Sequence, residues 1–133
     1  MSDAIRELRQ RLHTLLSADE ELASLLATGG LFDRPPGAAM PFILYGPWRS
    51  DDYSTATEQG EEHWLTFEIW TDPNGQRLSL DIAARLRSLL HDQPQPIPPF
   101  RLVSLLYRTT RTRRDAKARA VVTEVSFRAV TEG

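Results

Sequence analysis

The chain has 133 residues, with 16 basic against 18 acidic side chains, a formal net charge of −2 and no cysteine. That length suits one domain over residues 1–133 and buries roughly two-thirds of the unfolded surface. The missing cysteines exclude disulfides, thiolate metal sites and cysteine nucleophiles, and a charge this near zero selects no partner class.

The N-terminus, MSDAIRELRQR, has no hydrophobic signal core. The apolar runs are too short to span a membrane, so no export and no membrane partner are expected. Ile5, Leu8, Leu12, Leu15 and Leu16 recur at spacings of three and four. They predict a first helix with one apolar stripe, capped by Ser2 or Asp3. Ser17, with Glu20 three residues on, reads as a capping box. It opens a second helix through Leu22, Leu25 and Leu26, which Gly29-Gly30 ends. Leu31 to Asp33 is a candidate short strand, Pro35-Pro36-Gly37 a loop, and Phe42 to Tyr45 a brief strand closed by Gly46-Pro47. The polar run RSDDYSTATEQGEE reads as a mobile loop.

From there the pattern changes to a period of two. Leu65, Phe67 and Ile69 fall on one side, and Trp64, Thr66, Glu68 and Trp70 on the other. This is a strand with one face on the core. TDPNG turns the chain. Leu78, Ile82, Leu86 and Leu89, flanked by Ala83 and Leu90, predict a helix to about His91. HDQPQPIPP is an extended connector, and Phe100 to Tyr107 is strand-like. Val121, Thr123, Val125, Phe127 and Ala129 alternate with Val122, Glu124, Ser126 and Arg128, giving a long last strand. A polar tip joins the last two strands into a hairpin. The order predicts an α+β fold, a largely antiparallel sheet with helices packed on one face and the other face open.

Chemistry is sparse. Glu61 and His63 are two apart, so a strand places them on the same side, with Glu62 between them. A metal needs further ligands, and His13 and His91 stand alone near helix ends. Ser50, Asp51 and Asp52 could add oxygens from the loop. The alternative is that Glu61 and Glu62 solubilise the start of a strand and His63 sits at its frayed end. No G-x-S-x-G, phosphate-binding loop or G-x-G-x-x-G is present. Asp81 lies four residues from both Arg77 and Arg85, the spacing of ordinary surface pairs. No catalytic, cofactor or metal residue is assigned, and no cofactor is expected.

Two features point to contacts. The stretch RTTRTRRDAKAR, Arg108 to Arg119, carries one acid, Asp115. It is either a solvated hairpin tip or an electrostatic contact with an acidic protein or with DNA. It contains no aromatic side chain for stacking on bases. Trp64 and Trp70, on the side away from the core, form an interface or lie under another segment such as the proline-rich connector. The candidate interface residues are Trp64, Trp70, Glu68, Arg108, Arg111, Arg113, Arg114 and Lys117.

Taken in order, LLSADEELASLL, LFDRPPGAAMPFILYG, STATEQGEEHWLTFEIWT, IAARLRSLLHD, FRLVSLLYRTTRTRRD and VSFRAVTE resemble the tail-completion, or tail-terminator, proteins of long-tailed phages, prophages and gene transfer agents. The resemblance covers nearly the whole chain. It implies an α+β fold and a non-enzymatic assembly role as a ring, a homohexamer, at the head-proximal end of the tail tube. Such a ring stops tube polymerisation and joins the tail to head-completion proteins. The implied partners are further copies of the chain, the major tail tube protein and a head-completion or stopper protein, with non-specific contact to DNA passing through the channel as a further one. The implied location is the bacterial cytoplasm during assembly and then the head–tail junction of the particle. The hairpin tip departs from the expected pattern in lacking a glycine. Two other function classes stand beside this one: a small metal-dependent hydrolase using Glu61, Glu62 and His63, and a nucleic-acid-binding module using Arg108 to Arg119.

Overall fold

A computed structural model describes residues 3–27, 29–37 and 39–133. Its elements are α1 (Asp3–Ala18), α2 (Glu20–Leu26), β1 (Leu31–Phe32), β2 (Phe42–Asp52), β3 (Gly60–Thr71), α3 (Gln76–Leu90), β4 (Arg101–Asp115) and β5 (Ala120–Glu132). The strands form one sheet in the order β1-β2-β3-β5-β4. Only the short β1–β2 pair is parallel, and the other three are antiparallel. The expected α+β class and mostly antiparallel sheet are borne out.

Apolar periodicity places the core. Leu8, Leu12 and Leu16 of α1, Leu22 and Leu26 of α2, and Ile82, Leu86 and Leu90 of α3 share one cluster with Ile43, Leu65, Phe67, Ile69, Val125 and Phe127. Burying a side chain such as Leu or Phe contributes about 1.5–3 kcal/mol relative to leaving it exposed. Phe67 meets Tyr45 at 5.7 Å and Phe127 at 5.9 Å between ring centroids, which links β2, β3 and β5 through one aromatic row. The connector lies on this helix side. Its Ile97 is buried, and its Gln95 accepts from Arg11 Nε of α1 at 3.1 Å.

Several local readings are corrected. The cap of α2 is Asp19, whose carboxylate accepts from Leu22 N at 2.9 Å, while Ser17 lies inside α1. A carboxylate wins because it also faces a cation. Arg85 Nη2 reaches it at 2.7 Å and Arg85 Nε at 3.0 Å, so one fork ties α2 to α3. The same hydrogen bonds hold the Asp19 carboxyl below the usual range. Arg85 therefore pairs with Asp19 and Glu21 rather than with Asp81. The alternative cap of the first helix, Ser2, lies outside the described residues.

Nor does β2 end at Gly46-Pro47. The register shifts between Tyr45 and Trp48, and the strand continues to Asp52. A bulge accommodates the missing N–H of Pro47. A side chain at position 46 would stand 3.0 Å from the Thr66 methyl, so glycine fits there. The expected mobile loop shrinks to the residues between β2 and β3, closed by Tyr53 N donating to Gly60 O at 2.9 Å and Thr55 N donating to Glu58 O at 2.9 Å.

The arginine stretch is also not a loop. Arg108, Arg111, Arg113 and Arg114 lie within β4, the sheet's edge strand; Arg111, Arg113 and Arg114 pair with Glu124, Val122 and Val121 of β5, and Arg108 sits at a register shift between Tyr107 and Thr109. Only the four residues between β4 and β5 form the turn. Asp115 Oδ1 accepts from Ala118 N at 2.9 Å, and Arg119 adopts φ +51°, the left-handed conformation expected of a glycine.

His63 is not frayed. With β2 extended, it sits fully buried inside β3. Ser50 Oγ lies 2.7 Å from Nδ1, and Thr131 Oγ1 lies 2.8 Å from Nε2. Burial pushes its pKa below 6.5, opposed by the nearby Glu61 carboxylate.

These contacts set two expectations. Asp19→Ala should cost about 1–2 kcal/mol, whereas Ser17→Ala should be near neutral; urea melts of both variants compare them, and a larger loss at Ser17 would restore the capping box. For His63, the unfolded chain takes up a proton before the folded one. Its contribution to stability is thus full above about pH 6.5 and is lost as pH falls toward the depressed folded value. Thermal melts between about pH 7.5 and about pH 5.5 should show a steeper loss of Tm in the wild type than in His63→Asn. Equal slopes would mean that His63 is not the titrating group.

Candidate functional site

β3 is paired along its length by β2 and β5, so its side chains divide strictly between two faces. His63, Leu65, Phe67, Ile69 and Thr71 point to the helices and are buried. Glu62, Trp64, Thr66, Glu68 and Trp70 point away. Their register partners on this outer face are Asp51, Arg49, Leu44 and Phe42 of β2, and Val130, Arg128, Ser126, Glu124 and Val122 of β5. The helices pack on the opposite side, and from the β2–β3 loop the Tyr53 ring lies 5.6 Å from the Arg128 guanidinium.

The aromatics are nonetheless not bare. Trp70 stacks on Phe42 at 6.0 Å with ring planes 12° apart, and its Nε1 donates to Glu68 at 3.1 Å. The Arg113 guanidinium lies 5.8 Å from the Trp70 ring. Trp64 is ringed by Arg49 at 5.8 Å, Arg108 at 5.9 Å and Arg128 at 6.0 Å. Each guanidinium covers apolar surface while keeping its charge near solvent. So arginines, not the proline-rich connector, shield the tryptophans.

Carboxylates interleave with these cations. Arg128 meets Glu62 at 2.5 Å and Arg49 meets Asp51 at 3.2 Å. Arg111 and Arg113 approach Glu124 at 3.4 Å and 3.7 Å. The result is a mixed-charge face laid over an aromatic layer. One atom stands out. The Trp64 indole Nε1 is buried with no acceptor. An unsatisfied buried donor costs about 1–3 kcal/mol and calls for an explanation.

The structure thus brings Trp64, Trp70, Glu68, Arg108, Arg111 and Arg113 together on this face. It separates the other two candidates. Arg114 pairs in register with Val121 and starts on the helix side, and Lys117 lies in the turn. Arg49, Arg128 and Phe42 were missed. The alternation of β5 already set Arg128 on the outward side, but Arg49 was hidden because the bulge at Gly46-Pro47 breaks the period.

The hydrolase triad does not converge. Glu62 points to the outer face and pairs with Arg128, while both ring nitrogens of His63 are engaged by hydroxyls. Among the described residues, no three His, Asp or Glu side chains gather where a metal could sit. A cavity of about 680 Å³ lies elsewhere, between α1 and β1–β2, lined by Arg9, His13, Tyr45 and Trp48 among others. There the Tyr45 hydroxyl lies 2.6 Å from His13 Nδ1, and burial raises its pKa, so it is held as the neutral phenol.

The family model described as tail completion protein gp17 matches residues 10–132. Among solved structures, the chain is similar to one in a structure titled "Virion of native gene transfer agent (GTA) particle", with a TM-score of 0.89 and 28% identity over 100% of both chains. No curated protein matches. The matched span holds all five strands and every residue of the outer face, and it bears out the resemblance read from the sequence. The chain belongs to the tail completion protein gp17 family.

Proposed function

We propose that this chain is a non-enzymatic structural protein that acts as one domain, closes the head-proximal end of a phage-like tail tube as a ring, and joins the tail to the head-completion proteins. The carrying observation is the outer sheet face, where arginines lie over Trp64 and Trp70, Trp70 stacks on Phe42, and the helices pack on the opposite side. Large aromatics set among arginines match the composition of protein-interface hot spots. Family membership and the full-length similarity to a chain of a gene transfer agent virion support the tail role.

A hollow tube is ended most simply by a ring of matching rotational symmetry, built from heterologous contacts that close. The ring proposed has six copies, assembled in the bacterial cytoplasm and carried in the particle at the head–tail junction. Its axial neighbours are the major tail tube protein and a head-completion or stopper protein. Contact with passing DNA is the weaker reading, because Asp51, Glu62, Glu68 and Glu124 stand among the arginines and repel a phosphate backbone.

Electron microscopy of intact particles tests the placement. Six copies at the junction are expected, and a single copy or density elsewhere would remove the reading. Trp70→Ala should lower particle yield about tenfold or more while the isolated chain loses less than about 3 kcal/mol. Paired measurements of yield and urea stability decide it. A larger stability loss with normal assembly of the folded fraction would make Trp70 a packing residue only.

A further inference from the structure

The sheet has two unpaired edges, and they differ in charge. On one side, β1 pairs only with Ile43 and Leu44, so β2 from Tyr45 to Asp52 has no outer strand partner among the described residues. This edge holds one base, Arg49, paired with Asp51 at 3.2 Å, and leads into the segment from Asp51 to Glu62, which carries Asp51, Asp52, Glu58, Glu61 and Glu62 and no basic residue. On the other side, β4 has no outer strand partner among the described residues. The segment after α3 occupies part of its first half, with Asp92 N donating to Leu105 O at 2.7 Å and Tyr107 N donating to His91 Nδ1 at 3.0 Å, so the edge available for docking is the half from Arg108 on. The strand carries Arg101, Arg108, Arg111, Arg113 and Arg114 with Asp115 as its one acid.

We propose that the basic β4 edge of one copy docks against the acidic β2 edge and following loop of a second copy, and that this is the contact that closes the ring. The inference rests on the ring reading above and names its surfaces. Charge selects the pairing. Two β4 edges repel, as do two Asp51–Glu62 segments, so twofold self-pairing at either edge is disfavoured. Only β4 against β2 brings opposite charges together, and that contact is heterologous, the kind that forms rings. Arginines on an edge strand also guard against uncontrolled sheet pairing, which fits an edge that must admit one partner and refuse others.

Strand direction agrees. β2 to β3, β3 to β5 and β5 to β4 are each antiparallel, so β4 of one copy runs opposite to β2 of the next when the sheets lie side by side. Level matters as well. Asp51 lies across from Glu62, which lies across from Val130, which lies across from Ser104. Bringing Asp51 level with Thr109 to Arg111 requires a shift of about four to six residues, or about 13–20 Å at ~3.3 Å per residue. From β2 of one copy to β2 of the next is four strand spacings, about 19 Å at ~4.8 Å each, so the implied tilt is roughly 35–45°, the tilt of strands in closed sheets.

Charge exchange in particles tests the contact. Arg108→Glu with Arg111→Glu, and separately Asp51→Arg with Asp52→Arg, should each cut particle yield by about tenfold or more. All four together should return it to within about threefold of wild type, because the pairing is restored with its signs reversed. Full yield from either pair alone, or no rescue by the combination, would overturn the proposal. Thermal melts of each purified variant separate lost docking from lost folding. Should the four-site variant not fold, the cysteine-free chain offers a second measurement. Asp52→Cys with Arg108→Cys, treated with a short bis-maleimide in assembled particles, should give a ladder of linked copies that either single cysteine does not give. A ring seen by microscopy without that ladder would keep the ring and reject these edges. Links from position 108 to DNA or to another tail protein in place of a second copy would reject them too.

Discussion

The structure depends on the two-sided pairing of β3. A strand hydrogen-bonded on both flanks cannot rotate to hide one side of its residues, so alternation along its length becomes a division of the molecule. Leu65, Phe67 and Ile69 lie under the helices. Trp64, Thr66, Glu68 and Trp70 are left on the face away from the helices. A one-residue slip would exchange these sets, placing Glu62 and Glu68 in the core. The cost of burying those carboxylates unpaired fixes the register. His63 strengthens the same constraint, since Ser50 and Thr131 hold its two nitrogens from the strands on either side.

Given that division, the outer face must solve a solubility problem. Two tryptophans, Phe42 and Leu44 would present apolar surface to water. The arginines answer this locally. Arg49, Arg108 and Arg128 around Trp64, and Arg113 at Trp70, cover the rings with guanidinium planes. Lysine would do this less well, because its ammonium is more strongly hydrated and does not lie flat on an aromatic face. The carboxylates Glu62 and Glu124 then hold the arginines in place from neighbouring positions. The ion pairs add little stability individually where they are exposed.

How much of this was legible in the sequence follows the physics of each signal. Helix stripes and the alternation of β3 and β5 are local repeats, so the elements, the fold class and the outward tryptophans could be read directly. Signals that depend on distant partners could not. Asp19 outranks Ser17 as a cap only because Arg85, far along the chain, arrives beside it. His63 is buried only because β2 runs past Gly46-Pro47, and a proline in a strand normally argues for its end. The arginine stretch looked like a loop because its composition is that of a solvated segment. On an edge strand, though, the outward side needs no apolar residues. Arg111 and Arg113 can therefore continue β4 on the strength of pairing with β5 alone. The site was half legible for the same reason: its Trp and β4 members were readable, and Arg49, across the bulge, was not.

The buried, unpaired indole N–H of Trp64 ties these threads together. A phenylalanine would fill the same place without an orphan donor, and a glutamate or serine nearby would satisfy it, as Glu68 satisfies Trp70. Neither arrangement occurs here. Arg49, Arg108 and Arg128 lie around the ring, and a guanidinium offers no acceptor. In the lone chain this arrangement only costs free energy. In the ring proposed above, a partner's carboxylate that draws Arg49 or Arg108 aside would uncover the donor and accept from it at the same time.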